Sequence, residues 1–330
     1  MTITCERGGV PDPVRDAVSA PPSRSGGKQI RTALLWVGGA ATCGLLGWQL
    51  HTVDLSTLGS MRAGWVALVV AAMVLSLLGA AYNLIGFTPT RLPVRRTVAV
   101  QTAASFTRVL TPSGMGGNVV NAQYLRRHGT PTPLAVACVA IAQLGQFAMT
   151  IVLVALIGLA TGSGTGLGSH VPVVAAVLGG LVLLAGALVV VGRRVPRVGA
   201  LLDGPRASLA MLVEHARRRP LMVAIGLGGS LLLTVALVGA LEASVHSFGG
   251  NVSLLTVAVV FLTGSAVGSI VPTPGGIGAV ESSLIAGLTA AGLASAIAVP
   301  AVLLFRLVTV WLPLPIGWAS LRSLRRRGHL

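Results

Sequence analysis

Charge is what this sequence has least of. Asp, Glu, Lys and Arg make up 10% of its 330 residues, and only 8 residues are acidic. A soluble domain carries roughly 25% charged residues to cover its surface, so much of this surface faces something other than water. Aromatic side chains are also scarce, at 4% with two Tyr. The net charge of +16 therefore lacks the aromatic and basic interleaving of a nucleic-acid interface, and nucleic acid is excluded as a partner. Three cysteines, Cys5, Cys43 and Cys138, lie far apart and make neither a disulfide framework nor a metal spacing. No cluster of three or more His, Cys, Asp and Glu has the spacing of a metal site, so no metal or cofactor is expected. The strict alternation of a transmembrane barrel is missing as well.

What remains is apolar: 53% of residues are hydrophobic and the mean hydropathy is +0.85. The runs 34–50, 65–87, 133–160, 171–191, 221–241, 252–271 and 296–318 are each about long enough to cross a ~30 Å hydrocarbon core as a helix. Backbone groups in lipid must be satisfied within the segment, which makes helices the expected form. The basic residues sit beside the ends of these runs, in the tail up to Arg31, at Arg91, Arg95 and Arg96, at Arg126 and Arg127, within 193–219, and at Arg322, Arg325, Arg326 and Arg327. Clusters at alternate loops follow the positive-inside pattern. They predict a protein of the cytoplasmic membrane with both termini cytoplasmic. Residues 1–28 read as a disordered cytoplasmic tail, 29–321 as the membrane domain and 322–330 as a basic cytoplasmic end. The first apolar run reads as a retained helix rather than a signal peptide. The Asp203-Gly204-Pro205 turn reads as the start of a short interfacial helix.

Two places break the simple count of crossings. The chain leaves the cytoplasmic side after Arg96 and is back by Arg126, too short a path for two full spans at ~1.5 Å per residue. Between them lies Thr111-Pro112-Ser113-Gly114-Met115-Gly116-Gly117. No Lys or Arg occurs between Arg219 and Arg306, so the segment around Pro272-Thr273-Pro274-Gly275-Gly276-Ile277-Gly278 starts and ends outside. The expected fold is thus an all-α, polytopic transmembrane bundle of six full crossings and two oppositely oriented re-entrant or broken helical hairpins.

The two tips repeat one pattern. Thr111-Pro112-x-Gly114-x-Gly116 matches Thr273-Pro274-x-Gly276-x-Gly278. Similar segments in opposed orientation are what an inverted-topology repeat leaves, and in such transporters the substrate site lies between the broken helices. Pro and Gly free backbone groups from the helix ladder, and a cavity or ligand must then satisfy them. A helix starting after such glycines directs partial positive charge at an anion. Kinking and close packing are the plainer use of the same residues.

Few ionisable residues interrupt the apolar runs: Arg108, Glu281, Arg306 and, near an outer interface, Glu242. Charges in lipid pair or line a wet cavity. Glu281 is expected to pair with Arg306 or Arg108, leaving the other Arg for an anionic head group, although a purely structural pair meets the same pattern. Asn118, Asn121, Gln123, Gln143 and Gln146 line a polar cavity or join helices. The candidate substrate-binding set is Arg108, Thr111, Pro112, Gly114, Gly116, Gly117 and Asn118 at the first tip. At the second it is Pro272, Pro274, Gly275, Gly276, Gly278 and Glu281, with Arg306.

At these residues the chain resembles a known family. The Pro272–Glu281 stretch, Leu303-Leu304-Phe305-Arg306 and Trp311-Leu312-Pro313 look like the flippase-like transmembrane region of lysylphosphatidylglycerol synthases and their stand-alone relatives. The first tip and Leu125-Arg126-Arg127-His128-Gly129 resemble that family's first motif, and the likeness covers roughly residues 30–325. Phe305 stands where many relatives are expected to carry Tyr. The resemblance implies movement of an anionic or aminoacylated phospholipid across the membrane, and not an enzyme, because the soluble aminoacyl-transferase domain is not in this sequence. Membrane lipids are the expected partners. A separate lipid synthase and a second copy of the chain are further candidates. Two other readings stay open. One is a membrane-embedded lipid transferase, which the scarcity of His, Asp and Glu in the spans argues against. The other is a non-transporting scaffold for a separate synthase.

Overall fold

The computed structural model describes residues 62–111, 114–161, 214, 217–270 and 276–330. The expected tail, the runs 34–50 and 171–191, the interfacial turn at Asp203, and Pro112, Pro272, Pro274 and Gly275 at the tips lie outside these residues. Every regular element among the described residues is helical. In chain order they are α1 (Ala63–Gly86), α2 (Val94–Leu110), α3 (Gly116–Arg127), α4 (Thr132–Thr161), α5 (Pro220–Ser247), α6 (Leu254–Ile270), α7 (Ala279–Ala290) and α8 (Ser295–Arg306). A π-helical stretch (Leu307–Trp311) follows, then α9 (Pro313–Arg326).

Among the described residues four segments are long and apolar enough to cross a membrane: Ala63–Gly86, Thr132–Ile157, Pro220–Ser247 and Ser295–Arg326. They coincide with the expected runs, and their exposed faces carry Leu68, Val74, Phe147, Leu156 and Val235, as lipid-facing surfaces do. The α1–α5 pair is the spine. A Cβ on Gly86 would sit 2.2 Å from the Gly226 nitrogen, and one on Gly229 would sit 2.4 Å from the Asn83 nitrogen. Lipid is as apolar as Leu, so helices there gain by close backbone approach and interhelical hydrogen bonds. Asn83 Nδ2 supplies such bonds, donating to Ser230 Oγ at 2.5 Å and to the Ala142 carbonyl at 3.2 Å.

Two hairpins fill the space around this spine. Each joins a 17-residue arm to a 12-residue arm, α2 to α3 and α6 to α7. Twelve residues rise only about 18 Å, too little to cross the hydrocarbon core. The first hairpin begins earlier than its apolar stretch at Val98 suggests. Pro93 presets the helical start, and its carbonyl accepts from the Thr97 nitrogen at 3.0 Å, which draws Arg95 and Arg96 into α2.

The hairpins enter from opposite ends. The feet of the first lie beside the end of α9, where the His128 and His329 rings are 6.2 Å apart. The second starts where α5 ends and α8 begins, with Gly250 against Val245 and Ile297. Their tips converge on a single small cluster of Val109, Ile277 and Trp311. Segments α8 and α9 form one rod of 32 residues, and Trp311 stands half-way along it. At that point the ladder widens: Leu312 donates its N–H to the Leu307 carbonyl at 2.8 Å, one residue beyond the α-helical partner. Pro313 and Pro315 then bring no N–H at all.

Candidate functional site: a cationic cavity between two opposed hairpins

A cavity of ≈ 370 Å³ opens between the tips and is lined by every described helix. This is within the usual range for small-molecule pockets, roughly 300–1,000 Å³. Its walls are apolar at Met73, Leu77, Phe261 and Phe305, and polar at Asn83, Gln101, Ser105, Asn121, Gln143, Gln146 and Thr309. Most of the polar residues are engaged with neighbouring protein groups. Gln101 Nε2 donates to Asn121 Oδ1 at 3.4 Å, and Gln146 Nε2 to Thr234 Oγ1 at 2.8 Å. The Thr234 hydroxyl gives its own proton to the Ser230 carbonyl, so it accepts from Gln146 and fixes that amide's orientation. Gln146 Oε1 is then buried with no protein donor.

Both expected arginines, Arg108 and Arg306, reach the cavity, in different states. Arg306 Nε lies 2.6 Å from Glu281 Oε1, and both side chains are buried. The other carboxylate oxygen, Oε2, accepts the Gly278 N–H at 2.7 Å. Glu281 is thus at once the counter-ion of the rod and the N-terminal cap of α7. Of the two expected pairings, this is the one that forms. Arg108 lies deep in the bundle, is exposed to the cavity, and forms no ion pair among the described residues. A Cβ on Gly117 would stand 3.3 Å from Arg108 Nε and 3.4 Å from Nη2, so the guanidinium rests on the glycine start of α3. Among the described residues no carboxylate lines the cavity. The local charge is one uncompensated cation plus the positive end of a helix.

The remaining tip residues build this geometry. Thr111 Oγ1 accepts the Gly116 N–H at 2.8 Å and donates to the Thr107 carbonyl at 2.9 Å, tying the first tip together. A side chain on Gly116 would meet the Thr107 carbonyl at 2.5 Å. Gly114 and Gly276, equivalent in the sequence repeat, have φ of +66° and +70°. At this pair the repeat extends to backbone conformation, in a region L residues avoid, whereas Gly278 has φ of +87° and its equivalent Gly116 opens α3. Asn118 is half-buried and Gln123 exposed, and neither lines the cavity, whereas Asn121, Gln143 and Gln146 do. Glu242 sits 3.8 Å from His246, near the end of α5 and away from the cavity. Among the described residues no group of His, Cys, Asp or Glu is arranged to hold a metal.

Sequence reasoning missed Ser76, Asn83, Gln101, Ser105 and Thr309. Helical spacing carried the signal: 76, 80 and 83 share one face of α1, and 101, 105 and 108 share one face of α2.

A model of the family described as the lysylphosphatidylglycerol synthase TM region matches residues 35–317. The chain belongs to that family. The match takes in both hairpins, the α1–α5 spine and the widened turn of the rod. A curated relative, a "UPF0104 membrane protein" from Methanothermobacter thermautotrophicus, is 33% identical over 75 residues. That segment covers 23% of this chain and 22% of the relative. Family and fold together make this a multi-pass membrane protein, consistent with a membrane role connected with lipid.

Proposed function

We propose that this chain is not an enzyme but a translocator, moving an anionic or aminoacylated phospholipid between the leaflets of the cytoplasmic membrane. The observation that carries this reading is the state of Arg108: a cation exposed in a mid-bundle cavity, resting on a helix start, with no carboxylate beside it among the described residues. A charge in that setting is costly unless an anion or water meets it. A head-group phosphate is the complementary ligand, held by the guanidinium fork. Gln101, Asn121 and Gln143 serve its ester and hydroxyl oxygens, while the acyl chains stay in lipid. The opposed hairpins supply the two directions of access, and the Trp311 turn is the place where their tips shift against the rod. Among the described residues the lining holds no His, Asp or Glu to act as general base, which favours transport over chemistry. The basic end is assigned to the cytoplasm by the positive-inside rule.

The test is lipid scrambling in proteoliposomes with head-group-labelled anionic and aminoacylated phospholipids, comparing wild type with Arg108→Gln. Transport by wild type and its loss in a variant that melts normally is the expected result. Equal transport by both would remove Arg108, and with it this reading. No transport of any lipid by the wild type would favour a scaffold for a separate lipid synthase.

A further inference from the structure

Away from the cavity, a groove of ≈ 420 Å³ runs between the start of α2 and the end of α9. It shares no lining residue with the cavity. The two helices meet most closely at Gly317, where a Cβ would stand 2.3 Å from the Thr102 carbonyl, and Thr102 Oγ1 donates to Ser320 Oγ at 3.2 Å. The groove lies on the basic side of that contact.

Its composition is graded along the helix axis. On α9 and at Arg327, which caps its end, the lining residues are Ile316, Ala319, Ser320, Ser323, Leu324 and Arg327, one stripe at helical spacing that runs from apolar to cationic. Across from it α2 presents Ala99, then Arg96 and Arg95. His329 closes the charged end. The described carboxylates are elsewhere: Glu214 pairs with Arg218, Glu242 with His246 and Glu281 with Arg306. Three guanidinium groups therefore face one concavity with no acidic side chain among the described lining residues. The His329 imidazole registers that field. Partial desolvation and the charges of Arg96, His128 and Arg327 hold it below its ordinary value.

We propose that this groove is a second lipid site. It takes the phosphate of an anionic diacyl lipid, from the leaflet at the basic end, on Arg95, Arg96 and Arg327, with an acyl chain along Ala99, Ala319 and Ile316. A free phosphate matches the three arginines but not the apolar half of the stripe, and a zwitterionic lipid matches the stripe but not the uncompensated charge. Basic pockets between transmembrane helices hold anionic head groups in this way. The site stands on its own geometry and does not depend on transport through the cavity.

The experiment is native mass spectrometry of the full chain in detergent, titrated with phosphatidylglycerol, phosphatidylcholine or inorganic phosphate. With the groove intact, the protein should retain phosphatidylglycerol over phosphatidylcholine. The Arg95→Gln/Arg96→Gln/Arg327→Gln variant should weaken this on the order of 100-fold, at about a fivefold contribution per basic residue. A control removing equal charge from other faces of α9, Arg322→Gln/Arg325→Gln/Arg326→Gln, should change it little. Ala319→Trp, which fills the apolar half and keeps every charge, should also abolish retention. Equal losses in the two triple variants would reduce the site to general electrostatic attraction and overturn it. So would unaltered retention in Ala319→Trp, or displacement of the lipid by inorganic phosphate at comparable concentration. Every titration is run in the Arg108→Gln background, which removes the anion contact of the cavity, so retention reports the groove alone and a failed transport assay leaves the groove test intact.

Discussion

The two hairpins share a plan and differ in chemistry. Both have arms of 17 and 12 residues, both place a glycine with positive φ at the same point of the tip, and both end at the Trp311 cluster. The first is polar and carries Arg108 into open space. The second is apolar, and its one carboxylate is fixed between the Arg306 guanidinium and the Gly278 N–H. A duplicated scaffold has divided two tasks. One hairpin is a strut that anchors the rod, and the other holds Arg108 at the cavity without a carboxylate partner among the described residues.

The largest effect expected from breaking this comparison is at the strut. Glu281→Ala leaves Arg306 buried without its counter-ion and removes the cap of α7, a loss of about 3–5 kcal/mol for a broken buried pair. Thermal unfolding in detergent should show it, and Glu281→Ala/Arg306→Met should recover most of the loss. Failure of the double variant to recover would mean that the cap, not the ion pair, dominates. Loss of transport in a Glu281 variant alone therefore says little about the lipid site.

At the other hairpin the order of effects reverses. Arg108→Gln should not lower the melting temperature, since it removes a charge that has no carboxylate partner among the described residues and is costly inside the bundle. It should weaken anion binding roughly 10- to 100-fold, the worth of a hydrogen bond to a charged group. Arg108→Lys should keep part of the affinity and lose the bidentate preference. A large drop in stability for Arg108→Gln would show that both hairpins are struts.

Gly114 and Gly276 sharpen the contrast further. Alanine at either should cost about 1–2 kcal/mol, because both residues have left-handed φ. Only the first should also alter anion affinity: its Cβ would press on Arg108 Cγ at 3.2 Å, while that of Gly276 meets Val280 Cγ2 at 2.9 Å. Equal stability losses with unequal binding losses are the expected pair of results, from melting curves and lipid titrations on the same preparations.

Much of this division was legible in the sequence. The apolar runs named the spans, the basic clusters named one end of the bundle, and the Thr-Pro-x-Gly-x-Gly repeat named both tips. The choice of partner for Glu281 was not, because Arg306 and Arg108 are equally plausible until α7 and the rod are seen to pack. The cavity residues on α1 were not read either. Asn83 sits in an apolar run, and only the α1–α5 contact, set by Gly79, Gly86, Gly226 and Gly229, turns that face inward. The groove at the foot of α2 was hidden for a related reason. Arg327 is far in sequence from Arg95 and Arg96, and in the sequence both clusters mark only topology.

The smallest effect distinguishes the feet of the hairpins. The first stands on a titratable cluster, and the second ends on Ala290, Ala291 and Gly292, which do not titrate. His128 Nδ1 lies 2.9 Å from the Tyr124 carbonyl, which can only accept, so Nδ1 carries the proton. The His128 ring also stacks toward His329, which faces Arg96 from α2 and Arg327 from α9. The folded state holds His329 below its unfolded value, so the unfolded chain binds more protons in the window just under the ordinary histidine range, near 6.5. Stability then rises with pH through that window and falls as the pH drops through it. His329→Gln should flatten this small slope in melting temperatures measured between about pH 5 and 7. An unchanged slope would place the pH response outside the first hairpin's foot. Anionic lipid in the groove should also flatten it, because a phosphate beside His329 offsets the charges of Arg96 and Arg327 and returns the imidazole toward its ordinary value.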